Sequence, residues 1–351
     1  MSPRPHPASM ALAAAASGMT AAPAAAQETA SHGLSFMTGF GPSNYGVVTL
    51  LYAVLIISLA VIAIIGALVL SGMLIRRAGG AATSLETVPL ERSSSGLAFI
   101  YIGIAISFVI LTGVLVWNYV VLAEVSAAPK DIAARIHVIG HQWWWEVRYE
   151  GEPAQTFTTA DEIHVPVGKP VRIELTSSDV IHSFWVPALG GKMDTIPGQQ
   201  NHTWLQADKP GIYRGQCTEF CGAQHAHMGL IVVADAPEHF AAWRAHQLEG
   251  PLTPHAESEV AKAAQGQSVF MHNCAVCHTV RGTLANGKVG PDLSHLMQRR
   301  TIAAGTLPNT VGNLSGWISN PQHIKPGNLM PTLRLSAADL NSLRDFLKTL
   351  Q

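Results

Sequence analysis

Residues 46–74 form a nearly unbroken apolar run without a charged residue, and residues 96–121 form a second. Each is long enough to cross the hydrocarbon core of a bilayer as a helix, and neither has the polar face of a helix buried in a soluble protein. Both are expected to span a membrane. From residue 132 to residue 235 the period shortens to two. A-R-I-H-V-I-G-H, E-I-H-V-P-V, P-V-R-I-E-L and M-G-L-I-V-V-A alternate apolar with polar positions between Gly/Pro turns. Short strands at such spacing predict a sandwich or barrel. Residues 236–260 lose the alternation and read as a linker with one helical turn around H-F-A-A-W-R-A-H-Q-L. Residues 261–351 open on a helical stretch, G-Q-S-V-F-M-H-N, and close on S-A-A-D-L-N-S-L-R-D-F-L-K-T-L. The latter is a capped amphipathic helix with Leu340, Leu343, Phe346 and Leu347 on one face.

Charge orients this plan. Arg76, Arg77 and Arg92 lie between the two apolar runs, whereas residues 27–45 contain no Lys or Arg. The positive-inside rule puts the connecting loop in the cytoplasm and everything after Glu124 outside. Residues 1–27, with Arg4 and an alanine-rich run, read as a secretory signal with an A-x-A-type cleavage site near Ala24, Ala25 and Ala26. The transmembrane hairpin then occupies 28–129 and the β-rich module 130–235. At 351 residues two or three domains are expected, and 48% hydrophobic residues with a mean hydropathy of +0.22 agree with membrane segments. A net charge of −1 gives no footprint for nucleic acid, so none is expected as a partner.

The chemistry concentrates in Q-C-T-E-F-C-G-A-Q-H-A-H-M, residues 216–228. Two thiols, Cys217 and Cys221, precede His225 and the thioether of Met228. Soft sulfur beside imidazole suits copper. A mononuclear blue-copper site needs one Cys, so the second thiolate points to a pair of copper ions bridged by both sulfurs. The missing imidazole is best supplied by His182 in D-V-I-H-S-F-W-V-P. A disulfide or a zinc site are the alternatives. The other two cysteines lie in C-A-V-C-H, residues 274–278, a C-x-x-C-H haem attachment motif in which Cys274 and Cys277 form thioethers and His278 ligates iron. With both pairs so explained, no structural disulfide is expected. Met271, Met297 and Met330 are the candidates for a second axial ligand. Trp143, Trp144 and Trp145 cannot all face one core, because strand side chains alternate. At least one should reach the surface and meet a partner.

C-x-E-x-C-x-x-x-H-x-x-M with a distant His before an aromatic-V-P segment resembles the CuA signature of cytochrome c oxidase subunit II. The resemblance implies a multi-domain membrane protein: a two-helix transmembrane hairpin, a cupredoxin-like β-sandwich carrying binuclear copper (CuA) on loops at one end, and an all-α class I cytochrome c domain. It implies that Cys217 and Cys221 bridge the coppers and that His182, His225 and Met228 complete the shell. Glu219 would ligate through its backbone carbonyl, its carboxylate turning to a magnesium ion at the boundary with subunit I. Trp143, first of the aromatic triplet after G-H-Q, takes the role of the residue through which electrons enter. Trp145 is assigned to packing, and Trp144 stays open between packing and contact. Asp194 matches a family acid near the same boundary, and His227 has no ligand role. Met330, in K-P-G-N-L-M-P, matches the axial Met of class I cytochromes c, with Met271 and Met297 left to packing. Gly290-Pro291-Asp292-Leu293 resembles the loop whose Pro lies beside the proximal His. The family's W-T-x-x-P motif is S-S-S-G-L here, which leaves any proton-path role of Glu91 open.

Residues 130–235 carry eight basic and twelve acidic residues, net −4, and residues 261–351 nine and three, net +6. Opposite signs favour docking of the haem module on the copper module. The expected function is subunit II of a haem–copper oxidase in the bacterial inner membrane, with two spans and its C-terminal domains facing the periplasm. Its partners would be subunit I, other oxidase subunits, cytochrome c as donor and the lipid bilayer. A nitric oxide reductase subunit is the related alternative, and a copper-delivery protein the unrelated one. A quinol oxidase subunit is disfavoured by the complete copper-ligand set.

Overall fold

The computed structural model describes residues 30–75, 94–127, 129–251 and 257–351. The leader expected over residues 1–27, the basic loop with Arg76, Arg77 and Arg92, and Glu91 lie outside the described residues. Helix α1 (Pro42–Leu74) and helix α2 (Ser94–Ser126) are 33 residues each. At about 1.5 Å per residue each is about 50 Å long, longer than the roughly 30 Å hydrocarbon core. The remaining chain buries none of either apolar window. A bilayer, together with any apolar helices packed beside them in it, would remove that surface from water.

The surplus length ties the helices to the sandwich. At the start of α1, Ser43 donates to the Leu189 carbonyl at 2.5 Å and Asn44 to the Pro187 carbonyl at 2.7 Å. At the end of α2, Trp204 Nε1 donates to the Val125 carbonyl at 2.9 Å. Burying these polar groups is cheap only while they stay paired, which fixes the sandwich relative to the ends of the two helices.

The β-rich module is a two-sheet cupredoxin-like sandwich. Its strands are β1 (Ser31–His32), β2 (Ala134–His141), β3 (Trp144–Glu150), β4 (Phe157–Ala160), β5 (Glu162–Pro166), β6 (Val171–Ser177), β7 (His182–Trp185), β8 (Met193–Thr195), β9 (Asn201–Leu205), β10 (Gly211–Cys217) and β11 (Gly229–Asp235). One sheet runs β5-β11-β10-β7-β8, with β1 added beside β10, and the other β4-β3-β2-β6-β9. Strand β10 buries every second residue, so Tyr213 and Cys217 share the inward face. Ile136, Val138, Trp145, Ile163, Ile173 and Phe184 fill the space between the sheets.

Where a linker with a helical turn was expected, the chain forms a full helix, α3 (Pro237–Leu248). Pro at its first turn starts it. Trp243 is the reason it stays. Its indole stacks on His164 with ring centres 4.1 Å apart and meets Tyr149 and Phe157 edge-on at 5.2 and 5.6 Å. The helix therefore covers the sandwich's own core.

The C-terminal module contains α4 (Glu257–Asn273), a small hairpin of β12 (Thr301–Ile302) and β13 (Leu307–Pro308), α5 (Val311–Ser319), α6 (Pro321–Ile324) and α7 (Ala337–Leu347). The hairpin is a minor departure from an all-α fold. Ser336 caps α7 by accepting from the Asp339 amide, and Leu343, Phe346 and Leu347 are buried on its inner face as the pattern predicts. Phe346 meets Phe270 of α4 at 5.5 Å. This module lies against the sandwich. The expectation that opposite net charges join them needs refinement, because among the described residues each salt bridge lies within one module. The joining contacts are hydrogen bonds: Gly229 N–H to the Ala304 carbonyl at 2.9 Å, Arg300 N–H to Glu162 at 2.8 Å, and Gln224 to the Pro326 carbonyl at 2.7 Å.

Replacing Trp243 with Ala should destabilise the sandwich by about 2 kcal/mol, less than a fully buried Trp because the side chain is half-exposed. Denaturant unfolding measures this. An unchanged midpoint would mean that α3 is only tethered.

Candidate copper centre and haem site

Two strand pairings assemble the copper candidates. β10 and β11 are antiparallel neighbours, and the Cys217 amide donates to the Met228 carbonyl at 2.9 Å. The chain between must leave and return within one loop, which carries Cys221 and His225. On the other side of β10, Cys217 pairs with Phe184 of β7, whose first residue is His182. His182 is thus held by a strand rather than by a loop. Ligating atoms of His182, Cys217 and Cys221 all lie within 4.8 Å of one another.

The two Sγ atoms are 3.8 Å apart and both cysteines are free. A disulfide requires about 2.05 Å. Two soft-metal–sulfur bonds of about 2.3 Å each span such a gap, so both sulfurs can share an ion. His182 Nδ1 lies 4.0 Å from Cys217 Sγ, His225 Nδ1 3.6 Å from Cys221 Sγ, and Met228 Sδ 3.9 Å from Cys221 Sγ. The Glu219 carbonyl oxygen is 3.3 Å from Cys217 Sγ, pointing inward, while its side chain is partly exposed. A thioether beside paired thiolates fits copper and is foreign to zinc sites.

Electrostatics favours a thiolate here. A hydrogen bond from the Cys221 thiol, aided by His182 and the Ser183 backbone, holds Cys217 far below the ordinary thiol range despite burial. Donating that bond pushes the Cys221 thiol up, and burial and the charge on Cys217 push it the same way. A bound cation removes that antagonism. Burial alone would lower His182, but its Nε2 bonds to Asp179 at 2.8 Å and the carboxylate raises it. Asp179 therefore fixes the ring with Nδ1 toward the sulfurs. Gly140 makes room for it, since a Cβ there would lie 2.6 Å from the His182 ring.

In the C-terminal module one cavity is lined by Cys274, Cys277, His278, Met330 and Arg299. Met271, Met297 and Met330 all pack partly buried against the helical core, and of the three Met330 lines the cavity. His278 Nδ1 bonds to the Pro291 carbonyl at 2.8 Å, leaving Nε2 for a metal. Burial lowers His278, which favours the neutral, ligating form. Gly290 lets the loop pass, because a Cβ would sit 2.6 Å from that ring. Arg299, itself partly exposed, presents a buried Nε without a partner among the described residues, which suits a haem propionate. The donor set and cavity fit haem c.

Alternation along β3 separates Trp144 from Trp145, whereas Trp143 precedes the strand in a turn. Trp145 is fully buried in the sandwich, and Trp144 is half-exposed, stacked on His141 at 4.3 Å. Trp143 keeps 9% exposure. Its Nε1 donates to the Cys221 carbonyl at 2.9 Å, and its indole lines the haem cavity together with Trp144. The partner expected at a surface indole is this chain's own second module. His227, partnered by Gln224 at 2.7 Å, stays outside the candidate ligand set. Asp194 lies half-buried on β8.

Residues 134–235 match the family model for the periplasmic domain of cytochrome c oxidase subunit II, and residues 263–351 match cytochrome c. Cytochrome c oxidase subunit 2 of Bacillus subtilis is 32% identical over 247 residues, covering 66% of this chain and 67% of that one. The chain belongs to the cytochrome c oxidase subunit 2 family. The corresponding protein of Alkalihalophilus pseudofirmus is 42% identical over 223 residues, covering 63% of this chain and 62% of its own length. The chain thus spans somewhat under two thirds of that relative. A crystal structure of the periplasmic domain of cytochrome oxidase subunit II from Bradyrhizobium japonicum, 35% identical, covers 34% of this chain and 96% of that one with a TM-score of 0.32. Haem c and copper follow from the two matched domains, and the protein is a membrane protein with a periplasmic domain.

Sequence reasoning passed over Asp179, Gly140 and Gln224. Only Asp179 left a signal, three residues before His182 in S-D-V-I-H. Replacing Asp179 with Ala should weaken copper binding by about 10- to 100-fold. Competition with a chelator reads this directly, and an unchanged affinity would make Asp179 structural.

Proposed function

We propose that this chain is the electron-transfer subunit of a haem–copper terminal oxidase of the bacterial inner membrane. Electrons from an external cytochrome c pass by way of haem c and binuclear CuA to the haem of subunit I. Oxygen is reduced to water there, coupled to proton translocation. The observation that carries the reading is Trp143, which lines the haem cavity and hydrogen-bonds to the backbone of copper ligand Cys221. One side chain joins both sites.

The copper pair supplies a one-electron acceptor. Cys217, Cys221, His182, His225, Met228 and the Glu219 carbonyl would hold it. Shared thiolates on a rigid sandwich limit rearrangement as the charge changes. Cys274, Cys277, His278 and Met330 would hold haem c. The Glu219 carboxylate, free of hydrogen bonds and ion pairs among the described residues, is left for magnesium, a cation that prefers oxygen ligands. Phe220 beside it is 77% exposed, which suits the face presented to subunit I. The chain itself is a carrier, and the oxygen chemistry belongs to subunit I.

Replacing Trp143 with Phe should slow electron transfer from cytochrome c while the electron spin resonance hyperfine pattern of an electron shared by two copper nuclei persists. Equal loss of copper would reduce Trp143 to packing. Replacing Met330 with Ala should lower the haem potential and change its axial-ligand spectrum, since a Met/His pair raises the potential. An unchanged spectrum would exclude Met330.

A further inference from the structure

The residues that frame both cofactor sites also build the face between the modules. Lys325, on the haem side, is 3% exposed, and its ammonium donates to the Trp143 carbonyl at 2.8 Å and the Ala303 carbonyl at 3.3 Å. Its neighbour Pro326 offers a carbonyl to Gln224 of the copper loop at 2.7 Å. Gln224 Oε1 is engaged by His227 Nδ1, which turns the amide's donor end toward Pro326.

The second part of this face is the tip of the β12–β13 hairpin. Ala303, Ala304 and Gly305 have φ values of 54°, 56° and 73°. Left-handed backbone is unfavourable for alanine, and two in succession persist only where surrounding contacts over-determine them. Those contacts come from the sandwich. Gly229 N–H donates to the Ala304 carbonyl at 2.9 Å, and Arg214 reaches the Gly305 carbonyl at 3.5 Å. Asp161, itself at φ 61°, takes the Trp145 N–H at 2.8 Å and faces the Ala304 amide and the charge of Lys325. A buried ammonium is costly to desolvate unless each partner is in place, so it holds one orientation rather than a general adhesion.

We propose that Lys325, with the 303–305 tip and Asp161, forms a clasp that locks the haem module in one docked pose over Trp143. Lys325 is a positioning residue for transfer between the two centres. This rests on the haem and copper reading above. A tethered module without the clasp would dock and leave, and the distance between centres would vary.

The test uses the full-length protein. Lys325→Met keeps an apolar stem and removes the ammonium. Exchange of the Gly229 amide, bonded across the face, should accelerate by about tenfold, as loss of a hydrogen bond from a charged donor implies. Haem-to-copper transfer after photoreduction should slow, with both spectra unchanged. Asp161→Asn, on the sandwich, keeps an acceptor for Trp145 and removes the charge facing Lys325. It should shift Gly229 exchange the same way, and it decides the matter if Lys325→Met does not fold. Gly229 exchange at the unsubstituted rate in the folded variants would overturn the clasp. So would haem loss in Lys325→Met with unaltered exchange in Asp161→Asn. Missing haem or copper spectra in the unsubstituted protein would instead overturn the cofactor reading, and Gly229 exchange would still judge the docking.

Discussion

Much of this protein depends on the pairing of β10 with β11. The bond from the Cys217 amide to the Met228 carbonyl forces the intervening chain to close on itself. Three of the proposed ligands are then gathered within one loop at the end of a rigid sheet. A change in register by one residue would turn Cys217 from the inward face, where it lies with Tyr213, to the outward one. The site is therefore as secure as the sandwich beneath it, and Ile136, Ile173 and Phe184 in the core support it at a distance.

The same loop organises its surroundings in both directions. Its Cys221 carbonyl accepts from Trp143, and its Gln224 donates to the Pro326 carbonyl in the loop of the haem module that leads to Met330. Contacts of a few ångströms thus connect the two candidate sites without a salt bridge between modules among the described residues. Net charge of opposite sign can steer such modules together, but the short-range fit is made by backbone carbonyls and one buried lysine. Because Trp243 anchors it to the sandwich, α3 belongs to the sandwich rather than to a linker.

Histidine orientation is a second theme. His182 and His278 each use one ring nitrogen for a fixed protein acceptor, Asp179 or the Pro291 carbonyl, and keep the other for a metal. Each ring also has a glycine, Gly140 or Gly290, where any side chain would collide with it. These devices lie far apart in the chain yet solve one problem. An imidazole must be neutral at one nitrogen and immobile.

The sequence by itself determined the spans, the two-residue period of the sandwich, the capped last helix and both cysteine motifs. Each depends on local spacing, and local spacing survives without a partner. It also placed Met330 among three candidate methionines, though only by likeness to a family segment. The fold decided the rest. Lining of the cavity separated Met330 from Met271 and Met297, and strand pairing brought His182 to Cys217 across 35 positions. Trp243 looked like linker because its partners, His164, Tyr149 and Phe157, are distant in sequence. In the sequence Lys325 is one of nine basic residues of its module, with nothing to single it out. Its burial against Trp143 arises from two modules meeting, and a one-dimensional pattern carries no record of that face.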